Sequence, residues 1–328
     1  MTPSAGTTNS PIKAGFWSHW FVSDYLVLGL TALLFCSFAP FTPGLASGET
    51  LLNILSFVLP LLIVAIGLTL VMISGGIDLS VTSIIALTSV VGAKIMTEQT
   101  GGSSVWLGVG AMLLLGAVLG AANGAIITLL RLPPFIVTLA SMMFLSGFAV
   151  WFTQSKNIYN LPGPFLALGK QLPITIALCA ALAICAHLLL RRTLYGRWLY
   201  ATGQNATAAH ISGVPTRSVV FSAYVCSGFC AAVASVILTG RLETGSPVLG
   251  REMLLDVIGA TVVGGTSLFG GKGKITWTLF GVLFLTLLDN TLNLLSLSHF
   301  FITIVKGSVI LLAAVLDATR QRFSGRDA

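Results

Sequence analysis

Charge is what this sequence has least of. Only 8% of its 328 residues are Asp, Glu, Lys or Arg, against 55% hydrophobic, and its mean hydropathy is +0.96. A soluble domain carries roughly a quarter charged residues, so water is excluded as the main solvent of this chain. Catalytic groupings are lacking too. The four histidines, His19, His187, His210 and His299, are scattered without HExxH spacing, and the ten acidic residues stand too far apart to form a general acid and base. Cys36, Cys179, Cys185, Cys226 and Cys230 all fall in apolar segments with no CxxC and no neighbouring His, which suits packing thiols and not metal ligands. No catalytic residue, cofactor or metal site is therefore expected. Residues 1–20 lack the basic start, short apolar run and small-residue cleavage site of a signal peptide, so the first apolar segment is expected to stay in the membrane.

What fills the chain instead is apolar runs of about 20 residues, each long enough to cross a roughly 30 Å hydrocarbon core as a helix. Breaks of Gly, Pro and polar residues place spans at 21–39, 51–74, 79–96, 105–130, 134–153, 171–190, 218–240, 253–269, 275–297 and 300–317. The expected fold is all-α: a polytopic integral membrane protein of about ten transmembrane helices, with a tail at 1–20, a membrane domain at 21–317 and a tail at 318–328.

The net charge of +7 does not point to nucleic acid, because the basic residues sit in short connections instead of forming one stripe. Orientation explains them. With the N-terminus in the cytoplasm, the inside set holds Lys13, Arg131, Arg191, Arg192, Arg197, Arg217, Lys272, Lys274, Arg320, Arg322 and Arg326, eleven of the seventeen, and the outside set holds only Lys156, Lys170, Arg241 and Arg251. Lys and Arg accumulate in cytoplasmic loops, which puts both termini inside.

The two halves are weakly alike. Ser74-Gly75-Gly76-Ile77-Asp78-Leu79 is echoed by Val263-Gly264-Gly265-Thr266-Ser267-Leu268, and Asn123 ahead of Pro134–Thr138 is echoed by Asn290 ahead of Phe300–Thr303. In transporters a site at the interface of two repeats is the default expectation.

Four places carry candidate functional residues. At Ile73–Ser80 the isolated carboxylate of Asp78 needs partners: either it is the N-cap of a helix beginning near Leu79, with Gly75 and Gly76 forming the turn, or the segment is a broken element that lines a path or braces a gate. The longest basic connection, 191–217, contains a short helix by its local signals, with Asn205 as N-cap, Ala206 to Ser212 as body, Gly213 at the left-handed C′ position and Pro215 as stop. Such a helix either slots into a partner protein or belongs to an ordinary positive-inside loop. Asp289, Asn290 and Asn293 crowd the ninth span, Lys306 lies in the tenth and Asn123 in the fourth. Asp289 and Lys306 fall at comparable depth, so they form either a structural ion pair or part of a solute path. Gly264–Lys274 is rich in Gly and Lys but is not a phosphate loop: Thr266 stands where the first Gly belongs and Gly273 where Ser or Thr belongs. It reads as a tight turn, and any ATP hydrolysis is expected on another chain.

Three stretches together resemble the permease subunits of the ribose, arabinose and galactoside class of bacterial sugar ABC importers: Ser74–Val81, Pro134–Ala140, and Tyr195–Gly213 with Gly264–Gly273. They span roughly residues 50–320, and Thr82 departs from the pattern where relatives often have Gly. The resemblance implies a multi-span permease of the bacterial inner membrane, in contact with lipid, paired with a second copy or a related permease. It implies a periplasmic sugar-binding protein outside and a cytoplasmic ABC ATPase inside, with the ATPase-coupling role falling on Gly203, Asn205, Ala208, Ala209 and Gly213. Gly75, Gly76, Asp78, Asn123, Asp289, Asn290, Asn293 and Lys306 are the candidates for the solute path or gate. The rival readings are an ion-gradient-driven secondary transporter using Asp289 and Lys306, and a membrane-embedded enzyme.

Overall fold

The structure is a computed structural model and describes residues 26–98 and 104–323. The N-terminal tail with Lys13, the start of the first expected span, the end of the C-terminal tail with Arg326, and the side chains of Arg320 and Arg322 lie outside the described residues. Among those described, all regular structure is helical: α1 (Leu26–Phe38), α2 (Gly48–Ile73), α3 (Val81–Glu98), α4 (Ser104–Leu130), α5 (Pro134–Phe152), α6 (Gly163–Lys170), α7 (Leu172–Arg192), α8 (Leu194–Gln204), α9 (Ala206–Ile211), α10 (Thr216–Leu242), α11 (Met253–Gly264), α12 (Ile275–Leu294) and α13 (His299–Phe323). Seven of these, α2, α4, α5, α7, α10, α12 and α13, are long and apolar enough to cross a membrane, and α1, α3 and α11 are shorter apolar helices. The chain is a polytopic membrane protein.

Each of the ten expected spans contains one of these apolar helices, with ends shifted by a few residues. At 300–317 the helix runs on to Phe323, and at 253–269 it stops short at Gly264 because Gly265 takes a left-handed φ of 110° and turns the chain out. The segment 191–217 holds two helices, α8 and α9, where the sequence signals predict one.

The core is built on close backbone approach. The central helix α2 is buried along most of its length, and α10 packs across both α2 and α4. Gly116, Gly120 and Gly124 form a stripe on α4, spaced one helical turn apart, that meets Tyr224, Gly228 and Ala232 of α10. A Cβ added at Gly228 would lie 2.9 Å from the Gly120 Cα, and one at Gly116 would lie 2.5 Å from the Gly228 carbonyl. In lipid, where hydrophobic burial gives no drive to helix pairing, small residues let van der Waals contact do that work.

Pro60 interrupts the hydrogen-bond ladder of α2 because proline has no N–H to give to the carbonyl four residues back. That carbonyl, on Ser56, is satisfied from another helix: Arg241 Nη1 of α10 donates to it at 2.6 Å while its guanidinium lies over the Phe57 ring at 4.2 Å. A charged side chain is thereby held at a helix break that needs a donor.

Three helix ends share one geometry. Gly75 N–H reaches Met72 O and Gly76 N–H reaches Val71 O; Gly265 reaches Val262 O and Thr266 reaches Thr261 O; Gly213 reaches His210 O and Val214 reaches Ala209 O. Each pairs a 5→2 with a 6→1 bond around a left-handed residue. The first two are the sequence echo 74–79 and 263–268. All three ends, with the 265–274 turn, gather at one end of the bundle, here the lower end; residues 152–171 and 241–246 lie at the upper end, where Ile158 and Gly245 pair through their backbones.

The stripe is testable against an internal control. Gly120→Leu forces a side chain into the α10 backbone and is expected to lower the unfolding midpoint of the purified protein in detergent, an overpacking loss of about 1–3 kcal/mol or more. Gly110→Leu, where nothing lies within 4 Å, is expected to leave it unchanged.

Candidate functional site

The break between α2 and α3 is organised by Asp78, which has no exposed surface. Its Oδ1 accepts from the Ser80 backbone N–H (3.0 Å) and Ser80 Oγ (2.6 Å), and its Oδ2 accepts from Ser227 Oγ of α10 (2.7 Å). Ser80 Oγ in turn accepts from Asn123 Nδ2 of α4 (2.8 Å), and Asn123 Oδ1 accepts from Ser141 Oγ of α5 (2.6 Å). Thr138 Oγ1 and the Tyr224 hydroxyl both donate to the Ile77 carbonyl. Four segments are tied in one network, and a carboxylate that would be costly alone takes three donors, two on Oδ1 and one on Oδ2. Asp78 is not the N-cap of the next helix: α3 begins at Val81, two residues beyond the expected start, because Asp78 closes its own turn onto Ser80 and leaves Ser80 to precede the helix. Gly75 does form the turn, at φ 87°, while Gly76 sits beneath the Tyr224 hydroxyl, where an added Cβ would lie 2.5 Å from it.

At the lower end the 191–217 segment is fixed to that break. α8 starts at Thr193, whose hydroxyl accepts from Gly196 N–H, and it is pinned by the Tyr200 hydroxyl, which donates to Gly273 O at 2.7 Å. Tyr195 donates to Val219 O and accepts from Ser222; burial pushes its phenol up to about 12, so it stays a neutral donor. Gly203 forms the joint. A Cβ there would overlap the Ile73 carbonyl and lie 2.6 Å from the Gly271 nitrogen, and one at Gly270 would lie 2.8 Å from both Gly203 O and Gly75 Cα. Gly271 N–H donates to Ile73 O at 2.9 Å, so the last carbonyl of α2 is capped by the 265–274 turn. Backbone meets backbone from three places far apart in sequence.

From this joint α9 projects. Asn205 Oδ1 accepts from Ala208 N–H (2.9 Å), and Gly213 takes φ 85° directly after the cap residue Ser212, as the local signals predict. Ala209 is buried against the bundle, while Ala208, His210 and the 81% exposed Ile211 face outward. Asn205 and Gly213 are thus cap residues of α9, Gly203 is the joint beneath it, and Ala208 is on its open face.

The remaining candidates form a second cluster, away from Asp78, on α11 to α13. Lys306 Nζ lies 3.0 Å from Asp289 Oδ1, and 2.7 Å from Asp256 Oδ1, a partner the sequence reading did not name. Asn293 Nδ2 donates to the Asp289 carbonyl and to its Oδ2. Asn290 has no side-chain hydrogen bond among the described residues, so its sequence echo with Asn123 is not matched in bonding. The 265–274 stretch is a tight turn, closed by Ser267 N–H to Lys272 O. Ser80 lay in the candidate segment without a role, and Ser141 and Ser227 escaped the sequence reading; the signal was the need of Asp78 for donors, which hydroxyls in neighbouring apolar segments supply.

Comparison with known proteins adds independent observations. Residues 50–314 match the family described as branched-chain amino acid transport system / permease component. The chain is 36% identical over 316 residues to the ribose import permease protein RbsC of Escherichia coli (strain K12), covering 93% of this chain and 97% of that one. It is 37% identical over 329 residues to the L-arabinose transport system permease protein AraH of the same strain, covering 98% and 97%, and 39% identical over 292 residues to RbsC of Bacillus subtilis (strain 168), covering 84% and 86%. No solved structure matches.

Asp78→Ala removes the acceptor of three buried donors at once. At about 1–3 kcal/mol for a buried donor left without a partner, it is expected to cost roughly 3 kcal/mol or more, while Asp78→Asn, which keeps the Oδ1 acceptor, is expected to cost about 1. Equal unfolding midpoints for the two variants in detergent would show that the network carries no such weight.

Proposed function

The chain belongs to the family of branched-chain amino acid transport system / permease components, and from that membership we propose that it carries a monosaccharide or similar small sugar-like solute into the cytoplasm, as the names of its ribose and arabinose relatives state for them. It is the permease subunit of an ABC importer in a bacterial membrane, and ATP hydrolysis belongs to a separate subunit. In this reading α1 to α5, α7 and α10 to α13 make ten crossings in two related halves, the lower end faces the cytoplasm and both termini lie there. The cytoplasmic cluster of Arg131, Arg191, Arg192, Arg197, Arg217, Lys272 and Lys274 supports that orientation. Its partners are a second permease copy or related chain, a cytoplasmic ABC ATPase and a periplasmic sugar-binding protein.

The observation that carries the mechanism is the Gly203 joint. α9 presents an exposed, doubly capped surface around Ala208, and the helix before it touches the end of α2 and the 265–274 turn without an intervening side chain. A push on α9 by the ATPase is therefore passed to the two left-handed turns at Gly75 and Gly265, one in each half. The Asp78 network, with Asn123, braces the first of these turns against α4, α5 and α10 while it moves. Asp289, Asn293 and Lys306, with Asp256, hold α11 to the last two helices as one body. Gly203, Asn205, Ala208, Ala209 and Gly213 are thus coupling residues, and Gly75, Gly76, Asp78 and Asn123 belong to the gate's support.

Ala208 is the position to test, since its side chain faces outward and is free of the capping load that Gly213 bears. With binding protein and ATPase reconstituted in proteoliposomes, Ala208→Arg is expected to lower uptake of labelled ribose or arabinose by about tenfold or more, the weight of a central interface contact. Membrane insertion and unfolding midpoint are expected to be unchanged. Full uptake by this variant would remove the coupling assignment, and uptake that persists without the ATPase would remove the ABC mechanism.

A further inference from the structure

After α10 ends at Leu242 the chain turns back into the bundle as extended and turned backbone before another helix forms. Gly245 lies against Ser89 and Ala93 of α3, and Ser246 N–H points at Ser89 Oγ (3.4 Å). Five residues later an added Cβ on Gly250 would lie 3.2 Å from the Ile85 side chain. From Ala93 to Ile85 is about 12 Å along a helix axis. Helix resumes only at Met253, so residues 243–252 descend beside α3 and α11 covers the remaining depth with twelve residues, about 18 Å. Non-helical backbone at that depth survives only where protein or water surrounds it.

Part of what surrounds it is empty space. A cavity of about 540 Å3 lies between the start of α3, the middle of α5 and the descending segment, with Thr82, Ser83, Ser146, Gly147, Val248 and Arg251 on its wall. A second, open groove of similar size shares Gly147 and Val150 with it and runs along the surface of α5 past Trp151 to Gln154 and Ser155 at the upper end. The first volume is within the roughly 300–1,000 Å3 range of small-ligand pockets.

Many hydroxyls elsewhere on the helices are already spent on their own backbone. Thr88, Thr128, Thr153 and Ser308 each donate back to the carbonyl four residues earlier. Among the described residues the hydroxyls of Thr82 and Ser146 have no hydrogen-bond partner, although Thr82 is only 5% exposed. Ser83 donates to Ser80 O and keeps its oxygen free to accept. Arg251 lines the cavity and forms no ion pair among the described residues, so no carboxylate occupies its guanidinium. Hydroxyls that give and accept, beside a planar multiple donor, suit a solute that is itself covered in hydroxyls.

We propose that the descending segment 245–252, with Thr82, Ser83 and Ser146 opposite it, forms the wall of the solute path, entered from the upper end along α5, and that Arg251 is the principal donor to a hydroxyl-rich solute of monosaccharide size. This rests on the importer reading above and deepens it. It also separates two tasks: Asp78 and Asn123 are buried and bonded to one network and act as bracing, while the solute meets the residues of this crevice.

The test reads water access first. In membranes containing the full chain alone, Val248→Cys and Ser146→Cys are expected to react with a membrane-impermeant thiosulfonate at least about tenfold faster than Leu311→Cys, a 65% exposed position on the outer face of α13. The unsubstituted chain supplies the background of the native cysteines. In the reconstituted importer, Ser146→Trp and Arg251→Leu are expected to lower sugar uptake by about tenfold or more, with Arg251→Lys retaining more than Arg251→Leu, while stimulation of the ATPase by the binding protein persists. Thiols that react no faster than Leu311→Cys overturn the proposal, as does full uptake by Ser146→Trp. Because reactivity is measured without any partner, loss of the crevice and loss of the importer reading remain distinguishable.

Discussion

A single carboxylate sets the terms for the middle of this protein. Asp78 lies where one long helix has stopped and the next has not begun, with none of its surface exposed. Its two oxygens are answered by Ser80 and Ser227, and Ser80 is answered by Asn123 and that by Ser141. The break, α4, α5 and α10 must arrive together for any of these bonds to form. The neighbouring backbone obeys the same demand: the freed carbonyls of Ile77, Ser56 and Ile73 each take a donor from a remote segment, respectively Thr138, Arg241 and Gly271. In a bilayer an unanswered polar group is the costliest fault a fold can carry, and here every interruption of α2 is matched by a donor from elsewhere.

That requirement explains which parts of the structure were legible in the sequence. Hydropathy is a property of contiguous residues, so the ten apolar helices could be placed to within a few positions. Caps are local as well, and Asn205, Gly213 and Pro215 spelled out α9 from side chains within ten residues of one another. The partners of Asp78 were not local: Ser227 is 149 positions away, and a serine inside an apolar run gives no sign of which carboxylate it serves. Asp256 was overlooked because it sits near the start of a short helix, whereas Asp289 and Lys306 stood out against long apolar runs. The descent at 243–252 was hidden for a related reason: its residues read as a connection between spans, and only their contacts with Ser89 and Ile85 reveal how deep they lie.

In the proposed mechanism, receiving a force is separated from handling a solute. α9 and the Gly203 joint stand at one end, where glycine backbones are in contact. The hydroxyl-lined crevice begins at the other end and reaches down to the start of α3, directly after the braced turn. Thr82 and Ser83 follow Ser80 by two and three residues, so the same short stretch of chain belongs to the brace and to the wall. In that proposal the turn at Gly75 and the cavity wall at Thr82 are linked by seven residues of one chain segment.

The glycine stripe between α4 and α10 has a mechanical consequence. Where side chains separate two helices, rotamer changes let one slide on the other; where main chains touch, as at Gly116, Gly120 and Gly228, no such lubricating layer exists. These two helices, joined to α2 through Gly67 against Ser227 and Cys230, must travel as one stiff block. The final helices hold a second such contact, since a Cβ on Gly281 would overlap the Ala260 carbonyl and one on Gly264 the Trp277 carbonyl, so α11 and α12 form another stiff pair and movement is left to the seams between the two blocks.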